Sequence, residues 1–437
     1  GLGYTFDPGP ATDGVTGPAW LLPGLLAVRI GLDPIAIAKA LGLLGALVAT
    51  GLMSIRLRAR SGGSISVMLA SLLTIVSPTL ACSAIAGLEA GAAALFVAIA
   101  CVSVLARPAP RPVALGMSLF VLAWLRPELA FAGLVLMIAV AARSGGARAW
   151  PAFALGLAGV ISVATFRFVM FGELLPLALA AKQGSLADGL EYCSRALVVT
   201  TGGFGLVLVF FAMRFGRSDD RWLGAALIAH VVAVFLAGGD WMPGFRLFAP
   251  VLPLYIALAA IGCRQAALRS RGLRYVALIC LFVACVVPLL DLATRLPEMR
   301  AAGRSRERAR ALVAKLHKQT HRVALVDIGY LGYASGCDVI DLAGITDPEI
   351  ARLPGGHLDK HIDGSLLRRR DPDALVLHSI TPPMAAADGR LIGLRGYPVE
   401  LRVAQSAWVQ REFRVAALLH YAPDYYYVLL LRRTPPR

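Results

Sequence analysis

Long apolar runs separated by short charged loops dominate the first two thirds of this chain, and they constrain its fold more than any other feature. A run of about 18 or more apolar residues with few charges predicts a membrane-crossing helix. Of the 437 residues, 57% are hydrophobic, above the roughly 45–50% of a soluble domain. We therefore expect a multi-pass α-helical membrane domain over residues 35–295, with about ten spans drawn from Ile35–Ile55, Ile65–Ala81, Leu88–Ala106, Pro112–Ala142, Trp150–Phe171, Ala196–Met213, Trp222–Ala237, Leu247–Gly262 and Tyr275–Leu290.

Two stretches of this region need separate treatment. Pro112–Ala142 is too long for one straight span and holds Arg126-Pro127-Glu128 at its centre, so a hairpin of two short spans is predicted with those residues at the tip. Residues 1–34 form a first outer loop in which Pro18–Ile30 is apolar but short, as in an interfacial helix. The chain opens in polar, loop-like sequence, so we expect an upstream segment with at least one further span.

The loops between the apolar runs fall into two alternating sets of different charge. One set carries only Asp219 and Asp220 as acids against many arginines, and by the positive-inside rule it is cytoplasmic. The other set mixes acids and bases and is therefore outside. We thus expect a protein of the cytoplasmic membrane with its C-terminal region on the outer side. The basic set comprises Arg56, Arg58, Arg60, Arg107, Arg111, Arg143, Arg148, Arg214, Arg217, Arg221, Arg264, Arg269, Arg271 and Arg274.

The outer loops carry compact charged motifs next to the membrane. Their charged residues are Glu89, Arg126 with Glu128, Glu173 with Lys182, and Asp240 with Arg246 in a turn rich in glycine and proline. Charges at such positions are costly, and they are usually functional. Cations suit a phosphate, whereas carboxylates suit sugar hydroxyls or a proton. The pattern predicts an outward-facing cavity for a substrate that is part lipid and part polar, although a salt bridge closing the hairpin tip explains Arg126 and Glu128 equally well.

Beyond residue 296 the composition changes to that of an extracytoplasmic α/β domain over residues 296–437. The basic run Arg300–Arg310 predicts a helical linker that meets lipid headgroups rather than nucleic acid, and Leu312–Lys318 a further helix. Asp347 before Pro348 predicts a helix N-cap. Short strands are expected at Val323–Asp327, Asp338–Leu342, Ala374–His378 and Tyr426–Leu431.

Metal-ligand spacing is absent from the sequence. His357, His361 and His378 have no partner motif, and the seven cysteines contain no Cys-x-x-Cys pair, so neither a metal nor a redox site is inferred. No cofactor is predicted, and dependence on a divalent metal stays open.

With these motifs in hand, the chain resembles the GT-C class of membrane glycosyltransferases, and within it the branch of the mycobacterial terminal arabinofuranosyltransferase. Six motifs in the same order carry the resemblance: Gly1–Trp20, Ala86–Glu89, Arg126–Glu128, Leu175-Pro176 with Ala181-Lys182, Gly238–Pro243 with Arg246, and Asp341–Ala351. The resemblance implies an inverting enzyme that moves a sugar, such as an arabinofuranose, from a polyprenyl-phosphate donor to an acceptor glycan or lipid outside the membrane.

The resemblance also implies roles for individual residues. Lys182 and Arg246 are expected to hold the carrier phosphate. Glu89, Arg126, Glu128 and Trp241 are expected to contact substrate, with Asp240 in the catalytic site beside the sugar. The general base of the class lies early in the first outer loop, upstream of Gly1, so Asp13 is carried as a second candidate near the substrates.

Three other functions compete with this interpretation. A transporter or lipid flippase predicts charges near the membrane midplane and internal repeats, whereas the charges here lie at helix ends. An O-antigen polymerase or ligase would use one large outer loop between spans. A plain membrane anchor would leave the outer-loop motifs unexplained.

Overall fold

A computed structural model of the chain describes residues 11–61, 74, 77–182, 184–240, 242 and 244–433, without the side chains of residues 60, 61 and 298–306. The chain divides into two compact units. The first combines residues up to Val15 with Arg167–Gln183 and Arg295–Arg437; the second combines Thr16–Phe166 with Gly184–Thr294. Each unit is described by itself.

The second unit is helical. Its helices are α1 (Leu21–Arg29), α2 (Pro34–Ser61), α3 (Pro78–Ile85), α4 (Ala90–Val104), α5 (Pro112–Leu125), α6 (Ala130–Ser144), α7 (Gly146–Phe171, ending in the first unit), α9 (Leu186–Thr201), α10 (Gly205–Phe215), α11 (Ser218–Leu236), α12 (Leu252–Arg269) and the first half of α13 (Arg271–Gln319). The short helix α8 (Leu177–Lys182) belongs to the first unit.

Small residues allow these helices to approach closely. A Cβ on Gly91 of α4 would lie 2.0 Å from the Gly42 carbonyl oxygen of α2, and one on Gly262 of α12 would lie 1.7 Å from that of Leu208 in α10. Helix pairs in membranes commonly pack through such small residues, because van der Waals contact replaces the hydrophobic effect there. The alanine-rich α4 is buried at the centre of the resulting core.

The described helices support a membrane domain of several spans. Five are long and apolar enough to cross a membrane, namely Pro34–Ala59, Pro127–Ser144, Gly146–Phe171, Ala249–Arg269 and Arg271–Pro297, and a bent pair would make a sixth. Helices α4 and α5 are apolar but shorter. Most of the predicted span Ile65–Ala81 lies outside the described residues, so the number ten stays a prediction. The expected hairpin forms as α5 and α6, with a short 3-10 helix, Pro127–Leu129, between them.

Helices α9 and α10 differ from the sequence prediction. The expected loop up to Arg195 is wrong, because α9 begins at Leu186, behind a capping box formed by Ser185 and Asp188. The predicted span Ala196–Met213 is divided between α9 and α10. Helix α9 turns by 84° into α10 at Gly202 and Gly203, which have positive φ angles of 64° and 74° that favour glycine.

The predicted span, basic linker and following helix near the C-terminal domain are one element. Helix α13 runs without a break for 49 residues, where three separate segments were expected. Residues 298–319 contain no proline, and the run 300–310 is rich in arginine and alanine, which are good helix formers. The structure therefore links the last apolar span to the C-terminal domain by a continuous helix.

The first unit contains a five-stranded sheet of order β2-β1-β3-β7-β6. Strands β2, β1 and β3 are parallel, and β7 runs antiparallel to both of its neighbours, β3 and β6. Its strands are β1 (Arg322–Leu325), β2 (Asp338–Asp341), β3 (Ala374–Ser379), β6 (Phe413–Ala422) and β7 (Tyr425–Arg432), and a separate hairpin pairs β4 (Met384–Ala385) with β5 (Leu391–Gly393). Helices α14 (Tyr333–Ser335), α15 (Pro348–Ala351), α16 (Gly364–Arg370), α17 (Pro398–Gln405) and α18 (Ala407–Glu412) complete the unit.

Alternating side chains give the sheet two apolar faces. One face packs against the C-terminal end of α13 through Leu312 and Leu316, and the other packs against α16, α17 and α18. The four predicted strands are present, with shifts of one or two residues at their ends. The edge strand β6 was missed, because its leucines and alanines lack the β-branched composition of a strand.

Candidate functional site

A buried guanidinium at the tip of the α5–α6 hairpin faces two carboxylates. Arg126 is 2% exposed. Its Nε lies 3.0 Å from Glu89 Oε1, and its Nη1 donates to Glu128 Oε1 at 3.0 Å. Its Nη2 is buried and has no hydrogen-bond partner among the residues that the structure describes. The salt bridge predicted for the tip is present, and it extends to a third outer-loop residue, Glu89.

Local sequence explains why these side chains meet. The residue before a proline is disfavoured in the helical region, and Arg126, which precedes Pro127, has φ −151° and ψ 88°. Helix α5 therefore ends at Leu125. Glu89 directly precedes the first residue of α4, where the helix dipole favours a negative charge.

A second ion pair closes the turn between α11 and α12. Arg246 Nε donates to Asp240 Oδ2, and the Asp240 side chain is 1% exposed against 18% for Arg246. Gly238 and Gly239 have φ angles of 77° and 72°, and a Cβ on Gly239 would lie 2.4 Å from Tyr192 Cβ. The glycines are needed here because both the φ angle and the close contact exclude a side chain.

The two ion pairs belong to one cluster. Asp240 contributes electrostatically to the stabilisation of the Arg126 charge, and Tyr192 lies within electrostatic range of Asp240, Arg246 and Arg126. Three carboxylates and two guanidiniums give this cluster, hereafter the outer-turn cluster, a formal charge of −1. Its charged members are Glu89, Arg126, Glu128, Asp240 and Arg246, all in the second unit. Trp241, predicted to contact substrate, lies outside the described residues.

Sequence reasoning missed two residues of this cluster. His230 on α11 is fully buried, and its Nε2 lies 2.8 Å from the Leu247 carbonyl oxygen. The Tyr192 hydroxyl accepts a hydrogen bond from the Leu247 backbone N–H at 3.3 Å. Both therefore support the turn that carries Arg246. A histidine inside an apolar run was the available signal, since ionisable groups at such positions are usually functional.

Asp13 belongs to the first unit, where it pairs with Arg167. Arg167 Nε donates to Asp13 Oδ2 at 2.8 Å, and both side chains are 3% exposed. The other oxygen, Oδ1, is buried and has no hydrogen-bond partner within the described part of the chain. Burial raises the pKa of Asp13, and the charge of Arg167 offsets part of that rise.

The remaining outer motifs also meet within the first unit. Leu177 and Ala181 of α8 pack against Ala351 of α15, and the exposed Glu173 accepts from Arg352 Nη2 at 2.9 Å. Lys182, predicted to hold phosphate, is half-buried at the end of α8. The motifs near residues 173–182 and 341–352 are therefore neighbours, which their separation in sequence did not indicate.

The motif Asp341–Arg352 is held by two aspartates. Asp341, at the end of β2, is fully buried and accepts from the Ala343 and Thr346 backbone N–H groups at 2.9 and 2.7 Å. Asp347 Oδ1 accepts from the backbone N–H groups of Glu349 and Ile350. The predicted helix cap at Asp347 is therefore confirmed. Across the described residues, no three histidine, cysteine or acidic side chains are grouped to hold a metal.

Comparisons with known proteins support the fold. A family model described as a domain of unknown function (DUF8728) matches residues 297–429. No curated protein matches the chain significantly. The crystal structure of ArnT from Cupriavidus metallidurans in the apo state is similar, with a TM-score of 0.53, 13% sequence identity, and coverage of 95% of this chain and 87% of that one.

At this identity the similarity shows the fold alone. The chain has a GT-C-type membrane fold with a C-terminal sheet domain, as the motifs predicted. The finer resemblance to the arabinofuranosyltransferase branch stays a prediction.

Proposed function

We propose that this protein is a glycosyltransferase of the cytoplasmic membrane, which transfers a sugar from a polyprenyl-phosphate donor to an acceptor glycan or lipid on the outer side. One observation carries the proposal: residues near positions 89, 126 and 240, from three separate turns, converge on the outer-turn cluster. A cluster that mixes guanidiniums and carboxylates suits a substrate with a phosphate and several hydroxyls. The GT-C fold supports this class of enzyme.

The two guanidiniums have different roles in the proposal. Arg126 is almost inaccessible and holds Glu89 and Glu128 in place. Arg246 is more exposed, at 18%, and Asp240 orients it, so Arg246 is the cation that meets the donor phosphate. A phosphate leaving group needs its developing negative charge stabilised, which a fixed guanidinium provides. Glu89 and Glu128 then accept hydrogen bonds from sugar hydroxyls.

The proposed transfer inverts the anomeric carbon. The acceptor hydroxyl oxygen forms a bond to that carbon as the bond to the phosphate oxygen breaks, and polyprenyl phosphate leaves with the electron pair. A carboxylate takes the hydroxyl proton. Asp13 is the candidate for this role among the described residues, because its Oδ1 makes no hydrogen bond there, whereas Asp240 is proposed to hold Arg246 and to orient sugar hydroxyls in the catalytic site. Contacts of Lys182 with the carrier phosphate, and of Trp241 with substrate, remain part of the proposal.

A transfer assay on membranes tests the proposal. Membranes containing the full-length protein are given a panel of polyprenyl-phosphate sugars, and Asp240→Ala and Arg246→Ala are compared with wild type. Glu191→Ala and Arg195→Ala are matched controls, because these residues form an exposed ion pair, with side chains 68% and 65% exposed, in the same unit.

The outcomes separate the site from the reaction class. Turnover of one donor that both cluster variants lose, and both controls keep, supports the proposal. Turnover that neither cluster variant affects would move the active site away from the outer-turn cluster. Absence of turnover with every donor of a broad panel would count against a glycosyltransferase.

A transporter or flippase of a lipid-linked substrate is the second candidate. The 84° bend between α9 and α10 favours it, because transporters often build their sites at broken helices. A buried polar contact lies at this bend, where Thr201 Oγ1 is 2.7 Å from the Tyr255 hydroxyl. Liposomes containing the purified protein and a fluorescent polyprenyl-phosphate sugar test this function. Rapid loss of fluorescence to an external quencher, without any transfer product, would favour the flippase.

A further inference from the structure

A second polar cluster lies in the C-terminal sheet domain, and the proposed reaction does not use it. It lies at the carboxyl ends of the parallel strands β1 and β3, where Asp327 follows β1 and His378 is near the end of β3. Strand β7 runs antiparallel to β3 and starts at this same edge with Tyr425. One edge of the sheet thus collects a carboxylate, an imidazole and several phenols.

The sheet topology makes this edge a natural ligand site. After β1 the chain continues to β2, at one edge of the sheet. After β3 it continues toward β6, at the opposite edge. The connections after these two neighbouring strands therefore diverge. In open α/β sheets, ligands bind in the crevice that such a divergence leaves outside the carboxyl ends of the strands.

The side chains at this edge form an aromatic platform beside a carboxylate. Asp327 Oδ2 accepts from the Tyr425 hydroxyl at 3.4 Å and from the Tyr427 hydroxyl. The Tyr421 ring lies 5.5 Å from that of Tyr425 and 5.0 Å from that of Tyr427. Asp327 is exposed, Tyr421 and Tyr425 are half-buried, and Tyr427 is buried. The platform therefore combines accessible aromatic surface with an exposed acceptor whose position two phenols hold.

A buried histidine supports the platform from below. The His378 ring centroid lies 4.1 Å from that of Tyr425 and 4.7 Å from that of Tyr397. His378 is 4% exposed, and its Nδ1 makes no hydrogen bond within the described part of the chain. The buried Glu400 accepts from the backbone N–H groups of His378 and Tyr397, so the residues behind Tyr425 are held firmly.

We propose that this edge of the C-terminal domain binds a neutral saccharide, with Tyr421 and Tyr425 as the stacking surface and Asp327 as the hydroxyl acceptor. A sugar ring presents C–H groups on one face and hydroxyls at its rim, which match an aromatic face beside a carboxylate. The choice of a saccharide rests on the proposed function, in which this site would hold the acceptor glycan.

Aromatic rings beside a carboxylate can also hold an organic cation. A basic neighbour argues against that ligand, since Arg308 Nη1 donates to the Tyr421 carbonyl oxygen at 3.2 Å. The alternative is that Asp327 has a structural role only and connects β7 to the loop after β1. The two ideas differ in whether a saccharide binds, and in whether the loss of one tyrosine ring weakens it.

Equilibrium binding to the full-length protein in detergent micelles tests the proposal. Oligosaccharides of arabinofuranose, galactofuranose and mannose are titrated by calorimetry, without any sugar donor. We expect saturable binding of at least one probe. Tyr425→Ala and Asp327→Asn should each raise its Kd by about tenfold or more, and Tyr425→Phe by less, because the ring remains.

The matched control is Tyr426→Ala. Side chains of neighbouring strand residues point to opposite faces, and Tyr426 stacks on His420 at 4.7 Å, away from the platform. The saccharide Kd of the Tyr426→Ala variant should stay within about twofold of the wild-type value. Absence of saturable binding by every probe overturns the proposal, as does binding that neither platform variant weakens, or tetramethylammonium binding at these residues in place of sugars. Binding is measured without transfer, so a failed transfer assay with binding retained counts only against the proposed function.

Discussion

At Arg126 one side chain links turns that are 37 residues apart in sequence, because it contacts both Glu89 and Glu128. It lies between two carboxylates that would otherwise repel each other, and its Nη2 has no hydrogen-bond partner among the residues that the structure describes. Sequence inspection suggested the contact with Glu128, two residues away. The contact with Glu89 depends on how α4 packs beside α5.

Replacing Arg126 should destabilise the protein strongly. Arg126→Ala leaves two carboxylates without their cation, and breaking a buried ion pair from one side costs about 3–5 kcal/mol. Arg126→Lys should recover only part of this, because an ammonium cannot make two directed contacts as a guanidinium does. Thermal unfolding of the detergent-solubilised protein measures both. Arg195→Ala, which breaks only an exposed pair, should change stability by less than about 1 kcal/mol; a similar loss in Arg126→Ala and Arg195→Ala would contradict the assigned burial.

Asp341 should make the stability of the C-terminal domain depend on pH. Burial raises its pKa to about 6, although the hydrogen bonds from Thr346 and Ala343 oppose the rise. A carboxyl whose pKa is raised by folding contributes stability at low pH, and that contribution is lost as pH rises through the folded pKa. Relative to Asp341→Asn, wild type should therefore lose about 2 kcal/mol between pH 4 and pH 7.

Unfolding of both proteins across that pH range measures the effect, followed by hydrogen exchange of the sheet amides. A difference between wild type and Asp341→Asn that does not change with pH, or that grows in favour of wild type as pH rises, would show that folding does not raise the pKa of Asp341.

Asp347 illustrates a residue whose role the sequence revealed. Its Oδ1 accepts from two N–H groups of the first turn of α15 and also from Arg370 Nη2 at 3.2 Å. Asp347→Ala should cost about 1 kcal/mol in the free energy of unfolding. Asp347→Asn keeps the cap and removes only the charge, so it should cost less. Equal losses in the two variants would mean that the ion pair with Arg370, not the cap, is the main contribution.

At the scale of elements, the turn between α11 and α12 is shaped by its glycines. Gly239 and Gly244 both have positive φ angles, of 72° and 92°. A Cβ on Gly239 would strike Tyr192, whereas one on Gly244 would meet nothing within 4 Å. The two positions therefore separate backbone strain from a steric clash.

Gly239→Ala should consequently be much more damaging than Gly244→Ala. Both substitutions introduce the strain of a positive φ angle at alanine, about 1 kcal/mol. Only Gly239→Ala also forces Tyr192 away from the turn that carries Arg246. Thermal unfolding together with the transfer assay measures the difference. Equal effects on stability would indicate that strain alone determines the outcome, and that Tyr192 can move freely.

At the scale of the whole molecule, the charge pattern of the loops predicts that the C-terminal domain is extracytoplasmic. A cysteine placed at Asp388, whose side chain is 47% exposed, should react with a membrane-impermeant maleimide in intact cells. A cysteine at the exposed Arg148, in a predicted cytoplasmic loop, should react only after permeabilisation. Cysteine-free protein provides the background. The reverse pattern of labelling would invert the topology and exclude the proposed site of transfer.

Much of this architecture could be predicted from the sequence, because the signals are local. Pro127 disfavours helical backbone at Arg126 through a local steric clash, which explains the correctly predicted hairpin. Aspartate before Pro348 caps a helix by contacts within three residues. By contrast, the bend at Gly202 was missed, since the same apolar composition fits a straight span, and β6 was missed because its composition also suits a helix.

The sequence by itself determined that the chain crosses a membrane repeatedly, that charges gather in one set of its loops, and that a sheet domain follows. These properties depend on burial of apolar runs and on residue spacing, which are additive along the chain. Only the tertiary structure decided which charged and polar groups meet: Glu89 with Arg126, Asp13 with Arg167, and Asp327 with Tyr427. Such pairs join residues far apart in sequence, and their partners are chosen by packing, because a buried charge must find whichever opposite charge or donor the folded helices and strands bring to it.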